Sequence, residues 1–320
     1  MLNRRILRIK AFKVLYSNAI AGNMSLAQAQ SQLDVACEAT RDLYIYMLGI
    51  VSPLTKIAQA RIESAKTKFN PTDEELNPNM KFADNALAKL LDADVDFQKI
   101  FSKKKKFSWN QYDIFLKKVM TSVASKEYFA EYMASPETSL KEDCRLFTRI
   151  FEEEFVDSED LERILEDKSL YWNDDLAYAL TWCCKTFKSF EKGEQWKLYP
   201  LYQSDLIAGP EVESDHVFVR KLLQAAFAGY ERYFSLISES VTGWEKERLF
   251  STDVALIVLG LAEASTFPTI PVKVTMNEYV EISKFYGTQK SRSFVNGLLD
   301  KLIQEMVKEG KIVKEGKGLM

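Results

Sequence analysis

The sequence has a single histidine, His216, and four cysteines, Cys37, Cys144, Cys183 and Cys184, none in a C-x-x-C pair. One histidine excludes an H-E-x-x-H site, and it cannot be set beside a nucleophile as a convincing catalytic triad. Walker A and Gly-rich cofactor loops are also missing. Adjacent cysteines rarely bridge each other, so the thiols read as reduced core residues of a cytoplasmic protein. Glycine is scarce, 12 in 320 residues, and no hairpin dipeptide separates alternating runs, which argues against a sheet. No run reaches about 18 apolar residues, so a membrane span is not expected. The first residues lack the apolar core of a signal peptide. No catalytic residue, metal site or cofactor is expected. Net charge is −3, so any nucleic-acid site must be a local basic patch.

Helical periodicity, by contrast, is present almost throughout, and the fold class it gives is all-α. Residues 3 to 19 read as one helix with Leu7, Ala11, Val14 and Leu15 on one face. The first thirteen residues hold Arg4, Arg5, Arg8, Lys10 and Lys13 with no acid. Cations in a first helical turn oppose the macrodipole by a few tenths of a kcal/mol each, and an anionic partner reverses that cost. From Leu43 to Ile62 a second apolar helix is interrupted at Pro53. The stretch 80 to 210 is helical and rich in aromatic residues, among them Phe107, Trp109, Tyr112 and Tyr132, which read as core. Lys103–Lys106 reads as a solvated loop. Ser108, Ser158 and Ser251 stand where N-caps belong, and His216 falls in the opening of a long helix beginning near Ser214.

Residues Pro271 to Asp300, PVKVTMNEYVEISKFYGTQKSRSFVNGLLD, read as two helices joined by a basic turn. Val274, Val280, Ile282 and Phe285 supply the first stripe. Gly287 fits a left-handed C-terminal position, and Ser291 fits an N-cap. In the second helix Phe294, Leu298, Leu302 and Met306 recur at every fourth position. Gly297 reads as a place of close helix approach, and Asn296 as a group needing an internal partner.

This stretch resembles the C-terminal signature of the NusB family in Pro271, Lys273, Val274, Asn277, Glu278, Glu281, Lys284, Gly287, Ser291, Phe294, Val295, Asn296, Gly297, Leu299, Asp300 and Lys301. The opening RRILRIKAFKVLYS resembles the family's basic first helix. The resemblance implies a non-enzymatic, cytoplasmic, all-α RNA-binding protein of transcription antitermination. It implies binding of boxA-type single-stranded RNA of ribosomal RNA leaders together with the ribosomal protein NusE, within an RNA polymerase antitermination complex, and a possible homodimer. Carried over residue by residue, the RNA-binding positions are Arg4, Arg5, Arg8, Lys10, Tyr16, Lys290, Arg292 and Phe294. Asp253 takes the place at or near the partner surface. The turn here is more basic than the family pattern, because Lys290 and Arg292 stand where an acid and a histidine are common; this favours phosphate contacts over contacts from an acid to bases. Cations along the backbone and aromatic faces for unstacked bases are what single-stranded RNA requires.

Compact relatives lack the middle of this chain. The expected organisation is a NusB-like helical bundle with an inserted helical subdomain: 1–69 and 214–309 as the family-like parts, 70–213 as the insertion, and 310–320 as a loose tail. Two other functions compete. One is a helical protein–protein adaptor without RNA specificity. The other is an RNA-binding module related to the N-terminal domains of RNA cytosine methyltransferases.

Overall fold

The protein, a computed structural model, is described for residues 2–22, 24–104, 107–194, 198–202, 214–241 and 252–319. Lys105, Lys106, Pro210 and Ser251 lie outside these. Among the described residues the chain forms helices and no strand. In order they are α1 (Arg4–Ala21), α2 (Leu26–Leu48), α3 (Val51–Lys66), α4 (Asp73–Leu76), α5 (Ala86–Ala93), α6 (Val95–Lys103), α7 (Asp113–Ala124) and α8 (Glu127–Ala134). They continue with α9 (Leu140–Glu154), α10 (Glu159–Lys168), α11 (Leu176–Glu191), α12 (Asp215–Ser240), α13 (Thr252–Thr266), α14 (Val272–Tyr286) and α15 (Ser291–Lys308).

Two compact units result: residues 1–38 with 201–320, and residues 39–200. Periodicity and proline placement put the joins at 69/70 and 213/214. The packing divides the chain at 38/39 and 200/201 instead, because the end of α2 is used by the middle region. The Tyr46 ring stacks on Trp109 at 4.3 Å and lies 5.3 Å from Trp172. Trp172 Nε1 donates to Ala39 O at 2.9 Å, Thr40 Oγ1 donates to Asp175 at 2.6 Å, and the Tyr44 and Thr186 hydroxyls share a hydrogen bond of 2.7 Å. Phe107, Trp109, Phe115 and Tyr132 are buried, as a core reading of the aromatic run requires, whereas Tyr112 is half-buried. The interruption expected at Pro53 is a break: the helix is in two pieces, α2 ending at Leu48 and α3 beginning at Val51. Pro53 itself falls in the first turn of α3, where its missing N–H costs nothing.

The first unit is built on α13. This helix is apolar on every side, so it can only be interior, and Asp253 to Ala264 are all buried. Helices α1, α12, α14 and α15 pack around it. Gly260 is the point of closest approach: a Cβ there would stand 2.7 Å from Leu299 Cδ2 and 3.3 Å from Tyr279 Cδ2. The close-approach role expected of Gly297 belongs to this residue. A Cβ at Gly297 would meet nothing within 4 Å, and Asn296 is exposed. Helix α14 likewise turns a different face inward. Thr275, Tyr279, Ile282 and Ser283 are buried, whereas Val274 and Phe285 are exposed.

The only acid among the apolar residues of α13 after its first turn, Glu263, is completely buried. It accepts both Nε and Nη2 of Arg8 at 2.7 and 2.8 Å, together with the hydroxyls of Thr275 at 2.9 Å and Tyr279 at 3.0 Å. One carboxylate therefore joins α1, α13 and α14. Burial works against the Arg8 charge, and the hydrogen bonds and charge of Glu263 outweigh it, so the guanidinium is held protonated. Burial pushes the Tyr279 hydroxyl well above its ordinary pKa.

The C-terminal segment is not loose. Ile312 is buried, Glu315 N donates to Pro268 O at 3.0 Å, and Lys314 Nζ donates to Ala264 O and Phe267 O at 2.8 and 3.0 Å. The ammonium thus satisfies carbonyls at and beyond the C-terminal end of α13, where the macrodipole favours a cation.

Two outcomes follow for stability. Glu263→Leu strips the buried Arg8 charge of its hydrogen-bonded carboxylate, leaving Glu278 at 3.6 Å, and is expected to cost about 3–5 kcal/mol in urea unfolding. The double variant Arg8→Met/Glu263→Leu should lose less than Glu263→Leu alone; an equal or larger loss contradicts the pairing. Lys314→Met should cost about 1–3 kcal/mol in the same measurement, since charged hydrogen bonds to carbonyls disappear.

Candidate nucleic-acid interface

Helix α1 begins at Asn3, whose side chain accepts from Arg5 N at 3.0 Å, and ends at Gly22 with φ 71°. The basic residues it carries have different fates. Arg4 is exposed, with its guanidinium carbon 4.5 Å from the centre of the Phe218 ring. Arg5 is partly exposed and forms a two-pronged pair with Glu278 of α14, Nε to Oε2 at 2.9 Å and Nη2 to Oε1 at 2.8 Å. Arg8 and Lys10 are 3% and 2% exposed. The expectation that these two meet RNA is corrected by their burial. Arg8 is bound to Glu263, and its other nitrogen, Nη1, lies 3.6 Å from Glu278. Its work is to hold α1 in place.

Further along α1, Tyr16 is half-buried and stacks on Phe12 at 5.9 Å and 23° between planes. Phe12 in turn meets Tyr286, the last residue of α14, at 5.1 Å, and the Lys13 ammonium lies 5.7 Å from the Tyr286 ring. Arg5 touches Glu278 and Phe12 touches Tyr286, so α1 and α14 keep in step. Neither Glu278 nor Tyr286 stands among the sequence-derived site residues. The signals for them were the acid matched in the signature and the tyrosine before Gly287.

The turn after Tyr286 carries the second group. Thr252 Oγ1 donates to Tyr286 O at 2.9 Å, and Thr288 N donates to Ser291 Oγ at 2.8 Å. Ser291 is therefore not the N-cap. It is the first residue of α15, buried, with its hydroxyl turned back into the turn. Gly287 is not left-handed either, with φ −109°. Space demands glycine here: a Cβ would collide with the Ser291 side chain and stand 2.7 Å from Ser283 O. Lys290 and Arg292 leave this tight turn exposed, and Phe294 is half-buried. Asn296 faces a surface groove between α14 and α15 that Asn277, Gln289 and Arg292 also line. Gly297 beyond it is exposed in mid-helix, a choice that costs about 1 kcal/mol relative to Ala.

Asp253 is 2% exposed, in the first turn of α13. Its expected place at a partner surface is corrected accordingly: the carboxylate is interior, at a helix end where negative charge is favoured.

The Arg5 pair draws the Glu278 carboxyl below its ordinary pKa, with the hydrogen bonds from Arg5 as the main cause. A depressed carboxyl pKa adds stability that is present at and above the ordinary carboxylate range. It is lost as pH falls through the depressed value. Wild type should therefore be more stable than Glu278→Gln at neutral pH in thermal melts. The difference should shrink as the pH drops below the ordinary glutamate range and vanish below the depressed value; a gap independent of pH contradicts the clamp.

Comparison with known proteins fits this architecture. A model of the NusB family matches residues 186–304, which reach from α11 into α15 and leave α1 outside. The transcription antitermination protein NusB of Alkaliphilus oremlandii is 32% identical over 110 residues, 34% of this chain and 78% of that protein. The NusB of Salinibacter ruber is 30% identical over 110 residues, 34% of this chain and 69% of that protein. That of Chloroherpeton thalassium is 33% identical over 103 residues, 32% of this chain and 49% of its own length. No solved structure matches the chain. With an α13-centred bundle, the signature turn and relatives of this similarity, the chain belongs to the NusB family.

Proposed function

We propose that this chain is a cytoplasmic, non-enzymatic transcription antitermination factor that binds single-stranded RNA. The reading extends to boxA-type RNA of ribosomal RNA leaders, bound together with the ribosomal protein NusE. The observation that carries it is the presence of exposed cations and half-buried aromatic rings in one unit of a slightly acidic chain: Arg4 and Arg5 open α1, which bears Tyr16 about 16 Å further along, and Lys290 and Arg292 stand at the turn just before Phe294. Cations meet phosphates and rings meet bases, which is how unstacked RNA is held. Family membership supports the antitermination role, since its relatives carry that name. The unit 39–200, most of which precedes the matched residues, is an accessory body in this reading.

Filter binding of a boxA-type RNA, with and without NusE, tests the reading. Arg4→Ala/Arg5→Ala should lower the slope of log affinity against log salt by roughly 0.7 for each phosphate no longer neutralised, while urea unfolding stays cooperative. An unchanged slope contradicts the assignment of α1. Phe294→Ala should weaken binding by about 1–3 kcal/mol if the ring stacks on a base, with little change in melting temperature. A loss of about 3–5 kcal/mol in stability with unaltered binding would place the ring in the core instead.

A further inference from the structure

Helix α15 carries more outward-facing chemistry than the turn that begins it. Its buried face is Val295, Leu298, Leu299, Leu302, Ile303 and Met306. On the other side Lys290, Phe294, Gly297, Lys301, Gln304 and Lys308 follow at intervals of four, three, four, three and four, the spacing of one helical face. Phe294 is half-buried and the other five are exposed. Nearby, Lys284 is paired with Glu281 and Lys311 with Glu309, but among the described residues neither Lys301 nor Lys308 has an ion-pair partner. Asp300 and Glu305 stand at the edges of this face, and Asp300 is engaged by the Gln304 amide at 2.9 Å.

Gly297 marks the middle of the face. Glycine weakens a helix interior, and the fold gains nothing from it, because the position opens on empty space. A glycine that no internal neighbour requires leaves room for an external one to reach the helix backbone. It lies one turn beyond the aromatic ring and one turn before a lysine.

Resting on the RNA reading above, we infer that the RNA path continues from the Lys290 turn along α15. Gly297 admits the sugar–phosphate backbone against the helix, and Lys301 and Lys308 neutralise successive phosphates. The 18 residues of α15 cover about 27 Å at 1.5 Å per residue, so the track holds several nucleotides beyond the base on Phe294. Lys308 also lies in the last turn, where the macrodipole favours a cation, so Gly297 and Lys301 carry the sharper test.

The test uses the full chain and a labelled pool of random single-stranded RNAs of about 12 nucleotides, within the usual range of site sizes. Gly297→Ala should raise the melting temperature yet weaken RNA binding. Gly297→Leu, which the open space accommodates, should weaken it further, on the order of tenfold. Lys301→Gln/Lys308→Gln should lower the salt slope by about 1.4, or about 0.7 per phosphate. If Gly297→Leu and the double lysine variant bind like wild type while Arg4→Ala/Arg5→Ala binds weakly, the track along α15 is overturned and the RNA reading stands. If wild type binds neither the pool nor a boxA-type RNA in the presence of NusE at low salt, the RNA reading fails and takes the track with it.

Discussion

The two-pronged pair between Arg8 and Glu263 is the constraint on which the first unit depends. A carboxylate in the middle of an apolar helix is costly unless it is paired and fully hydrogen-bonded. Here four donated hydrogen bonds meet it, two from Arg8 and one each from Thr275 and Tyr279. Fixing Arg8 inside also fixes the rotation of α1. Arg4 and Arg5, one turn earlier, are then left at the surface, and Phe12, on which Tyr16 stacks, falls against the end of α14. The interior charge pair and the exterior cations are thus two results of one geometric choice.

That choice also explains why a row of basic residues is a poor guide to a binding surface. The sequence shows Arg4, Arg5, Arg8 and Lys10 as one cluster, and two of the four are interior. Nothing local tells them apart, because the partner of Arg8 lies 255 residues away. A signal did exist at the other end: one acid, Glu263, in a run of apolar residues must find a cation. Similar limits apply to the glycines. Gly260, Gly287 and Gly297 look alike in a sequence, yet one receives α14 and α15, one makes room for Ser291, and one faces open space. What periodicity and capping chemistry determine was legible. Ser158 caps its helix as expected, with its side chain accepting from Leu161 N. The helix expected to begin near Ser214 does so, and the structure adds that Ser214 caps it, accepting from Val217 N. Helix α13 is interior as its composition demands. Ser108 is not a helix cap: it accepts from Asn110 N ahead of a short 3₁₀ turn. The basic turn bearing Lys290, Arg292 and Phe294 was legible as well, because the constraint on it is local.

Long-range packing decided the unit boundaries. Apolar periodicity assigned residues 39–69 to the family-like part, but cross-chain pairs such as Tyr46 with Trp109 commit the end of α2 to the middle region. That unit has buried charge pairs of its own. Lys81 pairs with Glu142 at 2.8 Å and donates to Tyr132 O and Ser135 O, and Asp143 accepts the Tyr132 hydroxyl at 2.6 Å. Burial raises the pKa of Asp143. A unit with its own core and its own buried polar groups has what a separately folding domain requires.

The central claim is that RNA lies on the exposed side of α1 and on α15, outside a core locked by Arg8 and Glu263. Ultraviolet crosslinking of the full chain to a boxA-type RNA, with peptides located by mass spectrometry, tests it most directly. The account predicts crosslinks at Tyr16 and Phe294 and along α15. Crosslinks confined to residues 39–200 would contradict it.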